Sequence, residues 1–364
     1  MRITEFQVLS FQLPLQPELK IRGQTLSVRE GLVIELKNAE GAAGYGEISP
    51  LPGLSRENLA EAKQQIFKIQ KLLLQQEIPQ HLDQLNGKFE HWLKPYRLLS
   101  SVRYGLEMAV LNLAANTKHC NVRQLISKSE HERVPVCGLV SSTKENIAKE
   151  VKTMVEQGFR AIKMKIGQAS IDDDIQTVRA VGDIIENKAL LRLDANQSWN
   201  INKAIEFGNE IGCAAVEYIE EPFADKTQFD EFFMKTTIPI ALDETLQKAD
   251  FNEIKSLAGV DVLVLKPMLL GGIEKTWHWM KQARQFGLAV VISSSFETGI
   301  GIMALANLAS CVHVIHPAGL DTLKWFKEDV LQNTVKIERG YITVEKSIAA
   351  RDQLNPNVVR EVSS

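Results

Sequence analysis

The sequence predicts a parallel β/α barrel carrying a smaller α+β domain, and three observations predict it. From Val134 onward, short apolar strands alternate with amphipathic helical stretches. Several strand interiors are unbroken apolar runs, such as Leu288-Ala289-Val290-Val291-Ile292, as expected where both faces of a parallel sheet are covered. Five of these strands end in charged residues at a near-constant interval. Lys165, Asp194, Glu220, Asp243 and Lys266 follow one another at roughly 23 to 29 residues, about one strand–loop–helix–loop unit.

Residues 1 to about 60 read as strands joined by turns. Ile3 to Val8 alternates apolar and polar residues, and Gly31 to Leu36 follows a polar connection containing Arg22-Gly23-Gln24. A glycine-rich piece from Gly41 leads into Gly46-Glu47-Ile48-Ser49-Pro50-Leu51-Pro52-Gly53. Helical periodicity takes over near Arg56–Leu74 and again near Val102–Ala115. Barrel strands are expected near 134–140, 161–166, 190–195, 216–221, 238–243, 260–266, 288–293 and 313–316, with helices such as Asn202–Ile211 and Glu274–Phe286 between them. Strand character returns in Tyr341-Ile342-Thr343-Val344, which is expected to rejoin the N-terminal unit. The predicted division is therefore a capping domain over 1–120, a (β/α)7β barrel over 130–325, and a tail over 326–364 that completes the cap.

The chain has 364 residues, long enough for a barrel plus a second core. Its net charge of −3 argues against a general affinity for nucleic acid. No apolar run approaches the ~20 residues needed to span a bilayer, and Met1-Arg2-Ile3-Thr4-Glu5 reads as a strand start rather than a signal peptide. Cys120, Cys137, Cys213 and Cys311 lie far apart and form no Cys-x-x-Cys pair, so a reduced, cytoplasmic protein is expected.

Strands of a β/α barrel share one C-terminal rim, and that rim is where such barrels do chemistry. Lys163 and Lys165 are two apart and project to the same side of their strand. Taken singly, each site residue has a plain alternative: solvated edge lysines, Asp194 as a helix cap, Glu220 and Asp243 as loop residues. Their joint recurrence at one register is what points to a site. Three carboxylates on one rim suit a hard divalent cation such as Mg²⁺, which prefers oxygen ligands and keeps positions open for substrate oxygens. A cation on a substrate carboxylate stabilises the charge left when the adjacent carbon loses its proton. The base would be an amine of lowered pKa, and a second ammonium two residues away lowers it.

The order Lys-x-Lys (163, 165), Asp-Ala-Asn (194–196), Glu-Glu-Pro (220–222), Asp-Glu (243, 244) and Lys-Pro (266, 267) resembles the enolase superfamily, whose Lys or His base works with Mg²⁺. The lysine placement is similar to the muconate-lactonizing branch. Gly46–Gly53, Arg192–Asn196, Ile292–Thr298 and Pro317–Thr322 are similar to the o-succinylbenzoate synthase family within it. That resemblance implies Asp194, Glu220 and Asp243 as Mg²⁺ ligands, with Mn²⁺ as a substitute. Glu220 is preferred over Glu221 because the family uses the first acid of the motif. The resemblance further implies Lys165 as the proton-abstracting base, Lys163 tuning it, and Lys266 facing it across the substrate. Arg192, Ser293, Ser294 and the backbone at Gly319 are expected to orient or bind a small-molecule carboxylate, with Glu244 behind the ligand set. The loops Ile21–Thr25 and Pro50–Pro52 would close over the barrel mouth. His278, His313 and His316 read as structural.

The implied reaction is a dehydration. An epimerase or racemase on the same scaffold is the alternative, and a non-catalytic binding protein is disfavoured because every charged position holds a chemically competent residue. No membrane or nucleic-acid partner is expected, and a homo-oligomer is left open.

Overall fold

The computed structural model describes residues 1–129, 131–142, 144–212, 216–346 and 348–362. Cys213 lies outside them, and Cys120, Cys137 and Cys311 are free thiols.

The N-terminal part is an antiparallel sheet of β1 (Ile3–Ile21), β2 (Gln24–Asn38) and β3 (Ala43–Ile48). In β1, Leu9, Phe11, Leu13 and Leu15 are buried while Gln12 and Pro14 face solvent, the period-two pattern of a half-covered strand. Four helices follow: α1 (Leu59–Leu73), α2 (Lys88–Leu93), α3 (Ser100–Thr117) and α4 (Val122–Ile126). Asn58 and Glu61 form a capping box at the start of α1. Helix α3 is buried on most of its surface and lies against β3 at glycine contacts. A Cβ on Gly46 would stand 1.9 Å from the carbonyl oxygen of Gly105. Gly46→Ala is therefore expected to force the helix off the sheet and destabilise the fold by about 2–3 kcal/mol. Urea unfolding checks this, and an unchanged midpoint would contradict the close packing.

Next comes β4 (Arg133–Pro135), and then β5 (Cys137–Leu139), α5 (Ile147–Glu156), β6 (Ala161–Lys165), α6 (Ile171–Ile185), β7 (Leu190–Asp194) and α7 (Ile201–Ile211). The alternation continues with β8 (Val216–Glu220), α8 (Phe229–Thr236), β9 (Ile240–Leu242), α9 (Phe251–Ile254) and β10 (Val260–Leu265). It ends with α10 (Pro267–Leu270), α11 (Ile273–Gln285), β11 (Ala289–Ile292) and α12 (Gly299–Ala309). Strands β5 to β11 form one parallel sheet in chain order. Tyr218, Ala241, Val262, Val264 and Val291 pack together as its inner core.

Two details differ from the sequence expectation. The eighth strand position is not at 313–316: Val314 is 60% exposed, and closure is made by Ala318 bridging Val136 and Gly319 bridging Ser293. The chain leaves α12 at the N-terminal end of the barrel and must travel through 311–316 before it can enter the wall. Tyr341–Val344 also has a different partner. The strand β12 (Tyr341–Thr343) pairs with β4 rather than with the cap sheet, and the Arg133 guanidinium lies 4.6 Å from the Tyr341 ring centre. It is β13 (Arg360–Glu361) that pairs with β1. Among the described residues no helix is long and apolar enough to cross a membrane.

Candidate active site

In the sheet register Lys165 stands opposite Asp194, and Asp194 stands opposite Glu220. Asp243 directly follows the last residue of β9, and Lys266 directly follows the last residue of β10. Parallel strands in register thus bring all three carboxylates and the three lysines to one rim. The carboxylates are buried, with exposures of 4% for Asp194, 0% for Glu220 and 5% for Asp243.

Buried carboxylates need countercharge, and two lysines supply it. The Lys163 Nζ donates to both oxygens of Glu220 at 2.7 Å and lies 2.8 Å from Asp194 Oδ2. Lys266 pairs with Asp243. Lys165 makes no ion pair among the described residues, and its pKa moves the opposite way from those of its neighbours. Its side chain is exposed at the barrel mouth, yet the protein packed around it removes enough water to lower the pKa, and the charges of Lys163 and Lys266 push it further down against the pull of Asp194 and Glu244. For Lys163 and Lys266 burial also works downward, but the carboxylates they touch outweigh it and hold both charged. Burial and the negative charges of Asp194 and Asp243 push the Glu220 carboxyl up. Asp194 goes down, because Lys163 outweighs the cost of its burial.

Among the described residues, no three carboxylate, imidazole or thiol groups surround a common point closely enough to hold an ion. The ammonium of Lys163 stands between Asp194 and Glu220, where their charges are balanced. The donor chemistry nevertheless fits a divalent cation. Three neighbouring strand ends carry oxygen donors, and Glu220 is raised first by burial and then by the crowded charges of Asp194 and Asp243. Added positive charge relieves that crowding.

Behind this ring, Glu221 holds the next loop in place. Its carboxylate accepts from the backbone N–H of Asp243 and of Thr245 at 2.8 Å each, and from Gln197. Asn196 donates to Glu244, whose other oxygen is buried without a partner among the described residues. Arg22, at the tip of the β1–β2 hairpin, reaches to 3.7 Å of Glu244. Arg56 bonds the Gln247 carbonyl. Loops of the first domain therefore meet the barrel rim.

The remaining sequence-predicted residues lie as follows. Ser293 bridges Gly319, where a Cβ would stand 2.5 Å from the serine hydroxyl. The Ser294 hydroxyl donates to Glu297 at 2.7 Å and contacts Thr322. Arg192 lies inside the barrel, 1% exposed, with its donors on Glu217 and the Pro317 carbonyl and its plane over Tyr218. His278 and His313 are exposed, and His316 stands 3.9 Å from Glu217.

Sequence reasoning missed the clamp between the domains. The buried Arg29 guanidinium donates to the carbonyls of Phe296, Pro50 and Ser49. Glu47 accepts from Thr298 and from the Gly301 N–H at the start of α12. One signal was available for Glu47, the single charge in Ala43–Ile48; Arg29 stands beside Glu30 in a strand that also holds Glu35 and Lys37, and carried none.

Residues 146–348 match the family model described as enolase C-terminal domain-like, and residues 3–113 match the MenC N-terminal domain. The chain is 32% identical over 324 residues to an o-succinylbenzoate synthase of Aliivibrio fischeri, covering 88% of this chain and 91% of that protein. It is also 32% identical over 354 residues to the chloroplastic protein PHYLLO of Arabidopsis thaliana; the match takes in 86% of this chain but only 20% of that much longer protein. Its fold is shared with a dipeptide epimerase of Enterococcus faecalis solved with Mg and the dipeptide L-Leu-L-Tyr, at a TM-score of 0.84, 23% identity, and coverage of 95% and 98%.

Proposed function

The chain belongs to the enolase superfamily, and from that premise we propose that it is an o-succinylbenzoate synthase. Its reaction would be the syn dehydration of 2-succinyl-6-hydroxy-2,4-cyclohexadiene-1-carboxylate to o-succinylbenzoate, a step toward menaquinone. The observation that carries this reading is the rim, where a lysine of lowered pKa, in no ion pair among the described residues, stands beside buried carboxylates and two charged lysines. The MenC-type first domain and the bacterial synthases among the relatives support the dehydratase within the superfamily.

Asp194, Glu220 and Asp243 would hold Mg²⁺, which when bound neutralises the substrate carboxylate and stabilises the charge that develops on the carbon beside it. Lys165 as the neutral amine takes the proton from that carbon. The electron pair forms the new ring double bond as the C–O bond on the neighbouring carbon breaks. Lys165 then returns its proton to the departing hydroxide on the same face, and water leaves. Lys163 keeps Lys165 neutral by its charge, and Lys266 places a cation on the opposite face. Residues 1–120 act as a cap over the barrel of 130–325, with 326–364 tying back. The Arg22–Glu244 approach and the Arg29 and Glu47 bonds support that arrangement.

Assaying the purified protein with Mg²⁺ against the cyclohexadiene acid and a panel of dipeptides tests the proposal. Dehydration is expected to dominate, and epimerisation alone would overturn it. The dipeptide epimerase fold and the facing lysine favour epimerase chemistry as the second reading. Lys266→Arg separates the two. It keeps the charge but cannot supply a neutral amine, so dehydration should survive at reduced rate while any epimerisation disappears. Persisting epimerisation in that variant, with circular dichroism unchanged, would contradict the opposite-face assignment.

A further inference from the structure

At the end of the barrel opposite the rim lies a cavity of about 740 Å³ that the reaction does not use. It opens between the start of β11, the C-terminal half of α11, the segment after α4 and the segment after α12. Its volume is that of a small-molecule site. The floor is apolar: Met280 and Val290 are buried, and Leu288 and Val312 are half-buried. Trp277 forms one wall, and its indole N–H is buried with no partner among the described residues. A buried indole N–H ordinarily finds an acceptor, so this one is a donor awaiting one.

Among the described residues the charged lining has one sign. Lys128, Lys281 and Arg284 stand at the exposed margin, and among the described residues none of them is in an ion pair. His131, His313 and His316 add neutral or positive imidazoles, and no described lining residue is acidic. Lys281 also lies 5.5 Å from the Trp277 ring centre, so one cation already stands over the aromatic wall. An apolar floor under a ring of cations, with an indole N–H between them, none of them partnered among the described residues, selects a ligand with a flat apolar body and a negative group. Phosphate alone would leave the floor uncovered, and a neutral aromatic would leave the cations unanswered.

We propose that this cavity is a second binding site, distinct from the rim, for a small aromatic carboxylate or sulfonate. The probe is 8-anilinonaphthalene-1-sulfonate on the full chain, read by energy transfer from Trp277, taken as the difference between the parent and Trp277→Phe. A saturable difference signal is expected, weakened at least tenfold in Lys281→Ala/Arg284→Ala and unchanged in Lys226→Ala, a lysine on the far surface. Benzene-1,2-dicarboxylate should displace the probe, and inorganic phosphate should do so at least tenfold less well. Absence of a Trp277-specific signal, equal affinity in the double variant, or equal displacement by phosphate would overturn the proposal. Circular dichroism of each variant confirms that loss of signal is loss of binding.

Discussion

Lys165→Ala is expected to lower kcat by about 10³–10⁴-fold, the range over which a positioned general base contributes, while the protein remains folded and still binds metal. The three lysines of the rim differ in their partners. Lys163 and Lys266 are each held charged by a carboxylate. Lys165 makes no ion pair among the described residues, and although exposed at the barrel mouth its pKa is lowered by partial desolvation together with the neighbouring ammonium groups. A bound divalent cation on the same rim pushes it in the same direction. The neutral amine is the active form, so kcat/KM should rise with pH and level off below 10.5, the ordinary lysine value. Lys165→Arg should fail as completely as Lys165→Ala, because a guanidinium stays protonated. An active arginine variant, or a plateau at or above the ordinary lysine value, would reduce Lys165 to an electrostatic partner.

Removal of the metal is expected to have an effect of the same order. In excess chelator, turnover should fall to background, and Mg²⁺ or Mn²⁺ should restore it better than Zn²⁺, because the proposed donors are all oxygen. Asp194→Asn and Asp243→Asn should each abolish turnover. They also carry a readout that does not depend on activity. A cation that binds only the folded state raises Tm with concentration, so Mg²⁺ should stabilise the parent and leave both variants unmoved. These variants also remove a partner from Lys163 or Lys266, so their stability without metal should be measured alongside. Full activity in chelator, or an equal rise in Tm for the variants, would contradict the ligand assignment.

Much of the fold was legible because a buried parallel strand leaves a plain mark, an apolar run that ends in a polar residue. Lys165, Asp194 and Glu220 could be placed on one rim from spacing alone, and they stand in register. The closing strand was not legible. Its two bridging residues, Ala318 and Gly319, carry no pattern, and the apolar pair Val314 and Ile315 between His313 and His316 drew the expectation to 313–316. The destination of Tyr341 was hidden for a related reason: a strand of three residues takes whichever edge is nearest, and that was β4. Ion-pair choices were also out of reach. Sequence placed three lysines on the rim but did not say that Lys163 and Lys266 would pair with carboxylates and leave Lys165 free. The Arg29 and Glu47 clamp depends on two segments more than 200 residues apart in the chain meeting at Ser295–Thr298.

The central claim is that Lys165, with a metal on the neighbouring carboxylates, removes a proton from the carbon beside a substrate carboxylate. Deuterium placed on that carbon of the cyclohexadiene acid reports the step directly through its rate of appearance in solvent. With Mg²⁺ the parent should release the label, and chelator or Lys165→Ala should bring release down to the uncatalysed rate. Release from Lys165→Ala at the parent rate, or no release from the parent at all, would contradict the account.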